Sequence, residues 1–336
     1  MIRSNFKLVK GGIIHSFLHG MIPQAVDIVK EAYLAHDALK TVNPNSYFLR
    51  FPDKPSARII ALPAALNFGK KISGIKWISS YPENVQHGFQ RASAVIILND
   101  YETGYPIACL EGSVISAMRT ACSAVLAAEY INSKSKNVGV LGLIGNGIIS
   151  KYILSCFLKN GWHIGKIKLF DLDISSAHKL SEFIGCEYSA EIEILDSYED
   201  LIHSSDMIVC TTTASVPYIT NHDLLKHNPI ILNISLRDID ADILLNSNNI
   251  VDDIDHVLVE KTSVELAFKK QNSKDFINGT IAELLLRKIK IHPNKPTIFS
   301  PMGMGILDLA LANFIIHNLP SESSTNIEDF FSDISR

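Results

Sequence analysis

The segment that most constrains the fold is an apolar run that ends in a glycine-rich turn, VGVLGLIGNGIIS at residues 138–150. It predicts a buried strand, a tight turn and the start of a helix. In dinucleotide-binding units the first glycine of such a turn bends the chain, and the second lets the backbone approach a pyrophosphate at the helix N-terminus. We therefore expect the turn to contact a dinucleotide through Gly145, Asn146, Gly147, Ile148 and Ile149.

Two features of this turn leave its interpretation open. Ser150 stands where the dinucleotide fingerprint has a third glycine, which packs the helix against the strand. A second register, from Gly142 to Gly147, is also rich in glycine. A turn of this kind can also be purely structural, so the glycines alone are a weak signal.

An acidic residue after the next predicted strand favours the dinucleotide interpretation. Asp171 follows the predicted strand 167–170, somewhat beyond the usual spacing of about 20 residues from the first glycine. Its carboxylate would bind the ribose hydroxyls, and it would repel the 2′-phosphate of NADP. The pattern therefore predicts NAD, although an ordinary loop aspartate would look the same.

The composition narrows the class of protein. The chain has 336 residues, 47% of them hydrophobic, and a net charge of −4, which suits a soluble protein of about two domains without a nucleic-acid partner. Residues 1–12 lack the apolar region of a signal peptide, and no apolar run reaches the ~18 residues of a membrane span. Five cysteines without a CxxC pair indicate reduced thiols, and the histidines lack metal-ligand spacing. We expect a cytoplasmic protein with no metal and no membrane partner.

The chain divides into two kinds of strand pattern. From residue 138, short apolar runs alternate with helical segments, which predicts a parallel sheet with strands near 167–170, 192–195, 207–210, 230–234 and 250–251. The N-terminal third has strands without helices between them, near 58–62, 72–79, 94–99 and 105–110, with a hairpin loop at 100–104. A helix at 113–131 connects the two parts, and the tail at 321–336 has a disorder-like composition.

Three charged residues interrupt apolar segments or follow them. Lys76 lies inside a predicted strand between large apolar groups, and Arg119 interrupts a helix of small and apolar residues. A charge in such a place is costly unless it is paired, so each is a candidate for a carboxylate partner or for a structural ion pair. Asp238 follows the predicted strand 230–234, at the edge where α/β sheets bind ligands, and is either an acid–base group or a turn residue.

Six segments spread along nearly the whole chain form a combined pattern. They are Gly-Ile-Lys-Trp at 74–77, the hairpin at 97–106, Met-Arg-Thr-Ala at 118–121, the glycine-rich turn, Asn-Ile-Ser at 233–235 with Asp238, and Pro-Met-Gly-Met-Gly at 301–305 with Asp308. Together they resemble the ornithine cyclodeaminase/mu-crystallin family.

The resemblance implies a fold and a set of roles. The fold is α/β, with a Rossmann-type NAD-binding domain at 129–304 inserted into a largely antiparallel α+β domain for substrate binding and dimerisation at 1–128, completed by 305–336. The protein would be a homodimer that acts on a small amino-acid-derived substrate. Lys76 and Arg119 would hold the substrate carboxylate, and Lys76 and Asp238 would be catalytic. The residues that would contact NAD are Thr120, Thr211, Thr212, Ser235, Met302 and Gly303.

Within the family the sequence favours one branch. Ile60 replaces the glutamate that ornithine cyclodeaminases use with their diamine substrate. Residues 47–50, 57–60, 90–93 and 95–100 resemble the branch that oxidatively cleaves a tricarboxylate to 2,3-diaminopropionate for siderophores. Arg50, Arg58 and Arg91 would bind the additional carboxylates. The alternatives are an ornithine cyclodeaminase, an imine reductase or amino-acid dehydrogenase, and a small-ligand-binding protein without turnover.

Overall fold

The computed structural model describes residues 6–188 and 190–331. Residues 1–5, where the absence of a signal peptide was predicted, and 332–336, the end of the predicted disordered tail, lie outside the described residues. The chain forms two compact units: the first comprises Met1–Arg119 and Met304–Arg336, and the second comprises Thr120–Gly303. The boundaries predicted at 128/129 and 304/305 differ from these limits by nine residues and by one residue.

The described residues contain sixteen β-strands and eleven α-helices. The strands are β1 (Phe6–Val9), β2 (Thr41–Val42), β3 (Tyr47–Phe51), β4 (Lys54–Leu66), β5 (Ile72–Ser80), β6 (Ala92–Asp100), β7 (Pro106–Glu111), β8 (Asn137–Ile144), β9 (His163–Phe170), β10 (Glu191–Ile194), β11 (Met207–Cys210), β12 (Ile230–Asn233), β13 (Asn248–Val251), β14 (Ile277–Thr280), β15 (Thr297–Ser300) and β16 (Thr325–Ile327). The helices are α1 (Gly11–Gly20), α2 (Ile22–Asp37), α3 (Gly112–Ile131), α4 (Ile148–Lys159), α5 (Ile174–Glu187), α6 (Tyr198–His203), α7 (Ala241–Leu245), α8 (Ile254–Val257), α9 (Ser263–Gln271), α10 (Ile281–Leu285) and α11 (Gly305–Asn318).

The first unit is built on a mostly antiparallel sheet. Its strand order is β16-β1-β7-β6-β5-β4-β2, with β3 also paired to β4, and only the pair β1–β7 is parallel. Helix α11 packs against α2 and against β4, β5 and β6. Because α11 is buried from Gly305 to Ala312 and is mostly apolar there, it forms the centre of this unit.

The second unit is built on a parallel sheet in the order β10-β9-β8-β11-β12-β15-β13-β14. The first five strands follow the Rossmann pattern, in which the chain crosses over between β8 and β11 and ligands bind beyond the carboxyl ends of the strands. The predicted fold class is therefore confirmed: an α/β chain in which a Rossmann-type unit is inserted into a largely antiparallel one.

The predicted elements match the observed ones in most places. The strands predicted in the N-terminal third correspond to β4, β5, β6 and β7, and those predicted after residue 138 correspond to β9 to β13. The tail prediction is wrong over part of its length, because β16 pairs antiparallel with β1. Among the described residues, helix α3 is long and apolar enough to cross a membrane, but more than half of it is buried in the fold.

Candidate active site

A buried lysine marks the inner face of the first sheet. Lys76 lies on β5 opposite Leu62 of β4 and Ile96 of β6, and only 1% of its surface is exposed. Its Nζ donates to Asp308 Oδ2 at 2.6 Å and to Ser116 Oγ at 3.2 Å. The charge predicted from sequence to need a partner has one, 232 residues further along the chain.

Asp308 joins this lysine to the predicted arginine. Asp308 lies on the buried helix α11, and its Oδ1 lies 3.5 Å from Arg119 Nε. Arg119 also donates through Nη2 to Ser116 Oγ at 3.5 Å. Burial lowers the pKa of Lys76 to about 8, against the opposing effect of Asp308, which raises it. We call these three residues the Lys76–Arg119–Asp308 cluster.

The charge of this cluster points to its ligand. Lys76, Arg119 and Asp308 together carry one net positive charge in a largely buried place, which favours an anionic ligand. A monoanion with acceptor oxygens, such as a carboxylate, would compensate that charge and accept hydrogen bonds from Lys76 and Arg119. Asp308 and Ser116 were not among the predicted site residues, although Asp308 carries the same sequence signal as Lys76, a charge within an apolar run.

The three further arginines predicted from sequence meet around Ser80 of β5. Arg58 lies directly opposite Ser80, and Arg50 of β3 lies directly opposite Arg58. Arg91 Nη1 donates to Ser80 Oγ at 3.4 Å. Arg50 and Arg91 are exposed and Arg58 is half-buried. We call Arg50, Arg58 and Arg91 the arginine cluster.

The arginine cluster belongs to the same face of the sheet as Lys76. Ser80 and Lys76 are four residues apart on one strand, so their side chains project to the same side, roughly 13 Å apart along the strand. Cross-strand partners also share a face, which places Arg58 and Arg50 on that side. One face of the first sheet therefore carries Lys76 at one position and the arginine cluster about four residues further along the strand.

In the second unit the glycine-rich turn has the geometry of a phosphate cradle. Gly145 has φ of +83°, and a Cβ there would approach the backbone of Thr211 to 2.9 Å, so a glycine is required. A Cβ at Gly147 would meet no described atom within 4 Å, which leaves open space beside the backbone. Gly147 precedes the 12-residue helix α4, and no described side chain caps its N-terminus. The first backbone N–H groups of α4, which include those of Ile148 and Ile149, are therefore available to donate to an anion such as pyrophosphate.

The contacts of Ser150 explain why a serine can stand where the fingerprint has a third glycine. It is fully buried, its Oγ donates to the carbonyl oxygen of Gly145, and it lies 2.6 Å from Thr211 Oγ1. Thr211 Oγ1 donates to the same carbonyl at 2.7 Å. The two hydroxyls therefore hold the turn after β8 in place next to the end of β11. A glycine at position 150 would allow close packing but could not make these hydrogen bonds.

Asp171 lies next to the turn, where a ribose-binding acid would lie. Its Oδ2 accepts the backbone N–H of Asn146 at 2.6 Å, and its Oδ1 accepts the N–H of Asp173 at 2.9 Å. Asn146 Nδ2 donates to the carbonyl of Leu143, while its buried Oδ1 has no hydrogen-bond partner among the described residues. A carboxylate has about four acceptor sites, so Asp171 can also accept ribose hydroxyls. The open cradle, the uncapped helix and this acid together fit NAD.

Asp238 is enclosed by two hydroxyls in the second unit. It is fully buried; Thr212 Oγ1 donates to its Oδ1 at 2.6 Å, and Ser235 Oγ lies within hydrogen-bond distance of its Oδ2. Burial raises the pKa of Asp238, and the hydrogen bonds from Ser235 and Thr212 oppose that rise. The buried hydroxyl of Tyr218 has no partner among the described residues, and burial raises its pKa, so it is a neutral neighbour.

The other residues that were predicted to contact NAD follow strands of the second sheet or lie on α3. Asp252, which the sequence prediction missed, follows β13 and accepts the N–H groups of Met302 at 2.9 Å and of Gly303 at 2.6 Å. Gly303 has φ of +92°, so this loop also needs a glycine. Thr120 lies on α3, next to Arg119 in sequence. Within the described ranges, no group of three or more His, Cys, Asp or Glu forms a metal site.

The fold and these groups define a class: a Rossmann-type dinucleotide unit inserted into a unit with a buried cationic cluster. The chain belongs to the ornithine cyclodeaminase/mu-crystallin family, whose model matches residues 18–323. The predicted family is confirmed.

Three relatives illustrate its range. The chain is 31% identical over 302 residues to the N-((2S)-2-amino-2-carboxyethyl)-L-glutamate dehydrogenase of Staphylococcus aureus, covering 86% of this chain and 88% of that protein. It is similar in fold to the Delta(1)-pyrroline-2-carboxylate reductase of Thermococcus litoralis in complex with NADH and L-proline (TM-score 0.86, 23% identity, 96% and 100% covered). It is also similar to an archaeal alanine dehydrogenase dimer with bound NAD (TM-score 0.84, 24% identity, 97% and 100% covered).

Proposed function

We propose that the protein is an NAD-dependent dehydrogenase acting on a CH–NH bond, and that it converts N-(2-amino-2-carboxyethyl)-L-glutamate, NAD⁺ and water to 2,3-diaminopropionate, 2-oxoglutarate, NADH and a proton. The diaminopropionate would supply a siderophore. The relative from Staphylococcus aureus, which is named for a dehydrogenase acting on this compound, supports the substrate. The NADH and NAD in the two structural relatives support the cofactor.

The arginine cluster is the observation that carries the substrate assignment. The substrate has three carboxylates, and the Lys76–Arg119–Asp308 cluster has the charge to hold one of them. Arg58 and Arg50 lie on the same sheet face as Lys76, and Arg91 meets them at Ser80. A substrate with a single carboxylate, such as alanine, would use one cationic cluster, whereas a tricarboxylate can use both.

Each residue has a defined task in this proposal. The glycine-rich turn and Asp171 would hold NAD⁺, which would supply the hydride acceptor for the oxidation at the glutamate α-carbon. Lys76 and Arg119 hold the adjacent carboxylate. Asp238 takes a proton from the water that adds to the substrate imine and returns one to the nitrogen that leaves as the amine. The domain of residues 1–128 and 305–336 thus binds substrate, and residues 129–304 bind NAD.

The decisive experiment follows NADH formation with the tricarboxylate, alanine and glutamate, and the release of proline and ammonia with ornithine, because cyclisation of ornithine forms no net NADH. Turnover of the tricarboxylate alone supports the proposal. Turnover of ornithine would show that Ile60 does not prevent cyclisation, and turnover of alanine or glutamate alone would assign a simple amino-acid dehydrogenase. If no substrate turned over while ligand still bound to both the parent and Asp238→Asn, the protein would be a binding protein of the mu-crystallin type.

The exposed face of the first sheet supports a homodimer. Trp77 and Val95 are directly opposite each other on β5 and β6, and Tyr47 lies two strands away on the same face. The exposed fractions of Trp77, Val95 and Tyr47 are 42%, 40% and 71%. Contiguous apolar surface of this kind is typical of an interface, and the archaeal alanine dehydrogenase is a dimer. We place this homodimer in the cytoplasm.

A further inference from the structure

The acid–base role proposed for Asp238 requires its fully buried carboxyl group to exist both with and without its proton. The surrounding hydroxyls can form hydrogen bonds with both forms. We infer that Ser235 is a positioning residue whose hydroxyl turns between Asp238 and the carbonyl oxygen of Cys210 as Asp238 loses and regains its proton. The inference deepens the proposed function and rests on it for its catalytic meaning.

Ser235 has two acceptors and one hydrogen. Its Oγ lies within hydrogen-bond distance of Asp238 Oδ2 and 3.1 Å from the carbonyl oxygen of Cys210. A hydroxyl can donate to only one acceptor at a time, but it can accept while it donates. The Cys210 carbonyl also accepts the backbone N–H of Ser235 at 3.0 Å, so it keeps a partner when the hydroxyl turns away.

The two protonation states use the same heavy-atom positions. When Asp238 is ionised, Ser235 donates to Oδ2 and Thr212 donates to Oδ1. When Asp238 is protonated, the proton on Oδ2 is donated to Ser235 Oγ, whose own hydrogen then goes to Cys210. No O–H bond of Ser235 breaks; its hydrogen only rotates. Thr212 keeps one role in both states, because its oxygen accepts the N–H of Ala214 at 3.1 Å.

The other groups around Asp238 do not take over this role. Arg237 interacts with Asp238 through its charge, but its Nε and Nη2 donate to the carbonyl of Glu260 at 3.2 and 2.6 Å. Cys210 and Tyr218 also interact electrostatically with Asp238, and burial raises the pKa of both, so they remain neutral. Within residues 6–188 and 190–331, Ser235 and Thr212 are therefore the side chains that adjust Asp238 by direct hydrogen bonds.

The test is a pH titration of Asp238 in the full-length protein without substrate or cofactor. The protein is isotope-labelled at the aspartate carboxyl carbons and observed by NMR, and the Asp238 signal is assigned by its loss in Asp238→Asn. In Ser235→Ala the ionised carboxylate loses a charge-assisted hydrogen bond and the protonated carboxyl loses a weaker neutral one, so we expect the midpoint to rise by about one pH unit. Ser235→Thr keeps a hydroxyl and restores the parent midpoint.

A midpoint in Ser235→Ala that equals the parent value would overturn the inference. Ser235→Gly provides a second deletion of the hydroxyl if the alanine variant does not fold. The acid limb of the kcat/KM profile should move to higher pH with the NMR midpoint. A shifted midpoint in a protein inactive on every substrate tested would support the hydroxyl switch and overturn the proposed function, so the two failures are distinguishable.

Discussion

Lys76 Nζ lies 2.6 Å from Asp308 Oδ2, and both side chains are almost completely buried. Two effects oppose each other at Lys76: burial lowers its pKa and the carboxylate of Asp308 raises it, and burial prevails, so that the pKa is lowered to about 8. A lysine with this pKa changes charge within the range in which enzymes are assayed. The ability of the cluster to hold a carboxylate should therefore depend on pH.

We predict that kcat/KM falls as pH rises through about 8, because the Lys76 ammonium loses its proton and with it a charge-assisted hydrogen bond. Asp308→Asn removes the group that favours the ammonium, so the same decline should begin at lower pH. Lys76→Arg keeps a cation throughout this range and should remove the decline, even if activity is lower. A profile that continues flat well above pH 8 in the parent would contradict the role of Lys76.

The arginine cluster gives a prediction about specificity. Arg58→Met or Arg50→Met should raise KM for the tricarboxylate about tenfold or more, since each change removes a hydrogen bond between charged groups. Any turnover of alanine should be unchanged, because alanine has one carboxylate. Lys70→Met, which removes an exposed cation away from this cluster, is the matched control. Equal losses with alanine and with the tricarboxylate would indicate a structural role for the arginines.

Asp171 gives a prediction about the choice between NAD and NADP. Asp171→Asn keeps an oxygen that accepts the Asn146 N–H but removes the charge, so NADP should bind more tightly while thermal stability stays close to the parent. Asp171→Ala removes the acceptor as well and should also lower the melting temperature. Calorimetric Kd values for both cofactors and thermal melts separate these effects. Unchanged discrimination in Asp171→Asn would show that another group selects the cofactor.

Asp238 gives a prediction about stability. Its pKa is raised by burial in the folded state, so the folded protein opposes ionisation and loses stability as pH rises from about 3.9, the ordinary value of an aspartate, through the folded-state pKa. Asp238→Asn avoids this loss. Its free energy of unfolding relative to the parent should therefore increase between about pH 3.5 and pH 7.

Urea titrations at both pH values measure this difference. Asp223→Asn is a control of opposite sign, since Lys226 lowers the pKa of Asp223 at the surface. An Asp238→Asn difference that is the same at both pH values would contradict a raised pKa.

Sequence analysis identified charged residues that need a partner, but it did not identify the partners. Lys76 and Arg119 could be found because a charge inside an apolar segment needs a partner. The partner, Asp308, could not be assigned because pairing across 232 residues depends on how α11 packs on the sheet. The predicted meeting of Arg50, Arg58 and Arg91 on a substrate came from family resemblance; strand register, which sequence alone does not fix, brings them together at Ser80.

The composition of the C-terminal tail led to a wrong prediction, because pairing with another strand decides its structure. The serine-rich and acidic tail reads as disordered, yet β16 forms because β1 presents an unpaired edge to it. The hydrogen bonds of Asp171 and Asp252 to backbone N–H groups were also beyond sequence analysis. A carboxylate can accept from a ligand or from the backbone, and only the fold shows which backbone N–H groups are in reach.

The exposed face of the first sheet gives the final prediction. Trp77→Glu and Val95→Glu place a carboxylate in the middle of an apolar face, where a dimer would bury it without a partner at a cost of several kcal/mol. Each variant should fold, because these side chains are partly exposed in the single chain and a glutamate there stays hydrated. Light scattering after size-exclusion chromatography should then give the mass of one chain for the variants and of two chains for the parent. Phe89→Glu changes a more exposed apolar residue outside the strands and should leave the dimer intact. A dimer that persists in both sheet variants would place the interface on another surface of the protein.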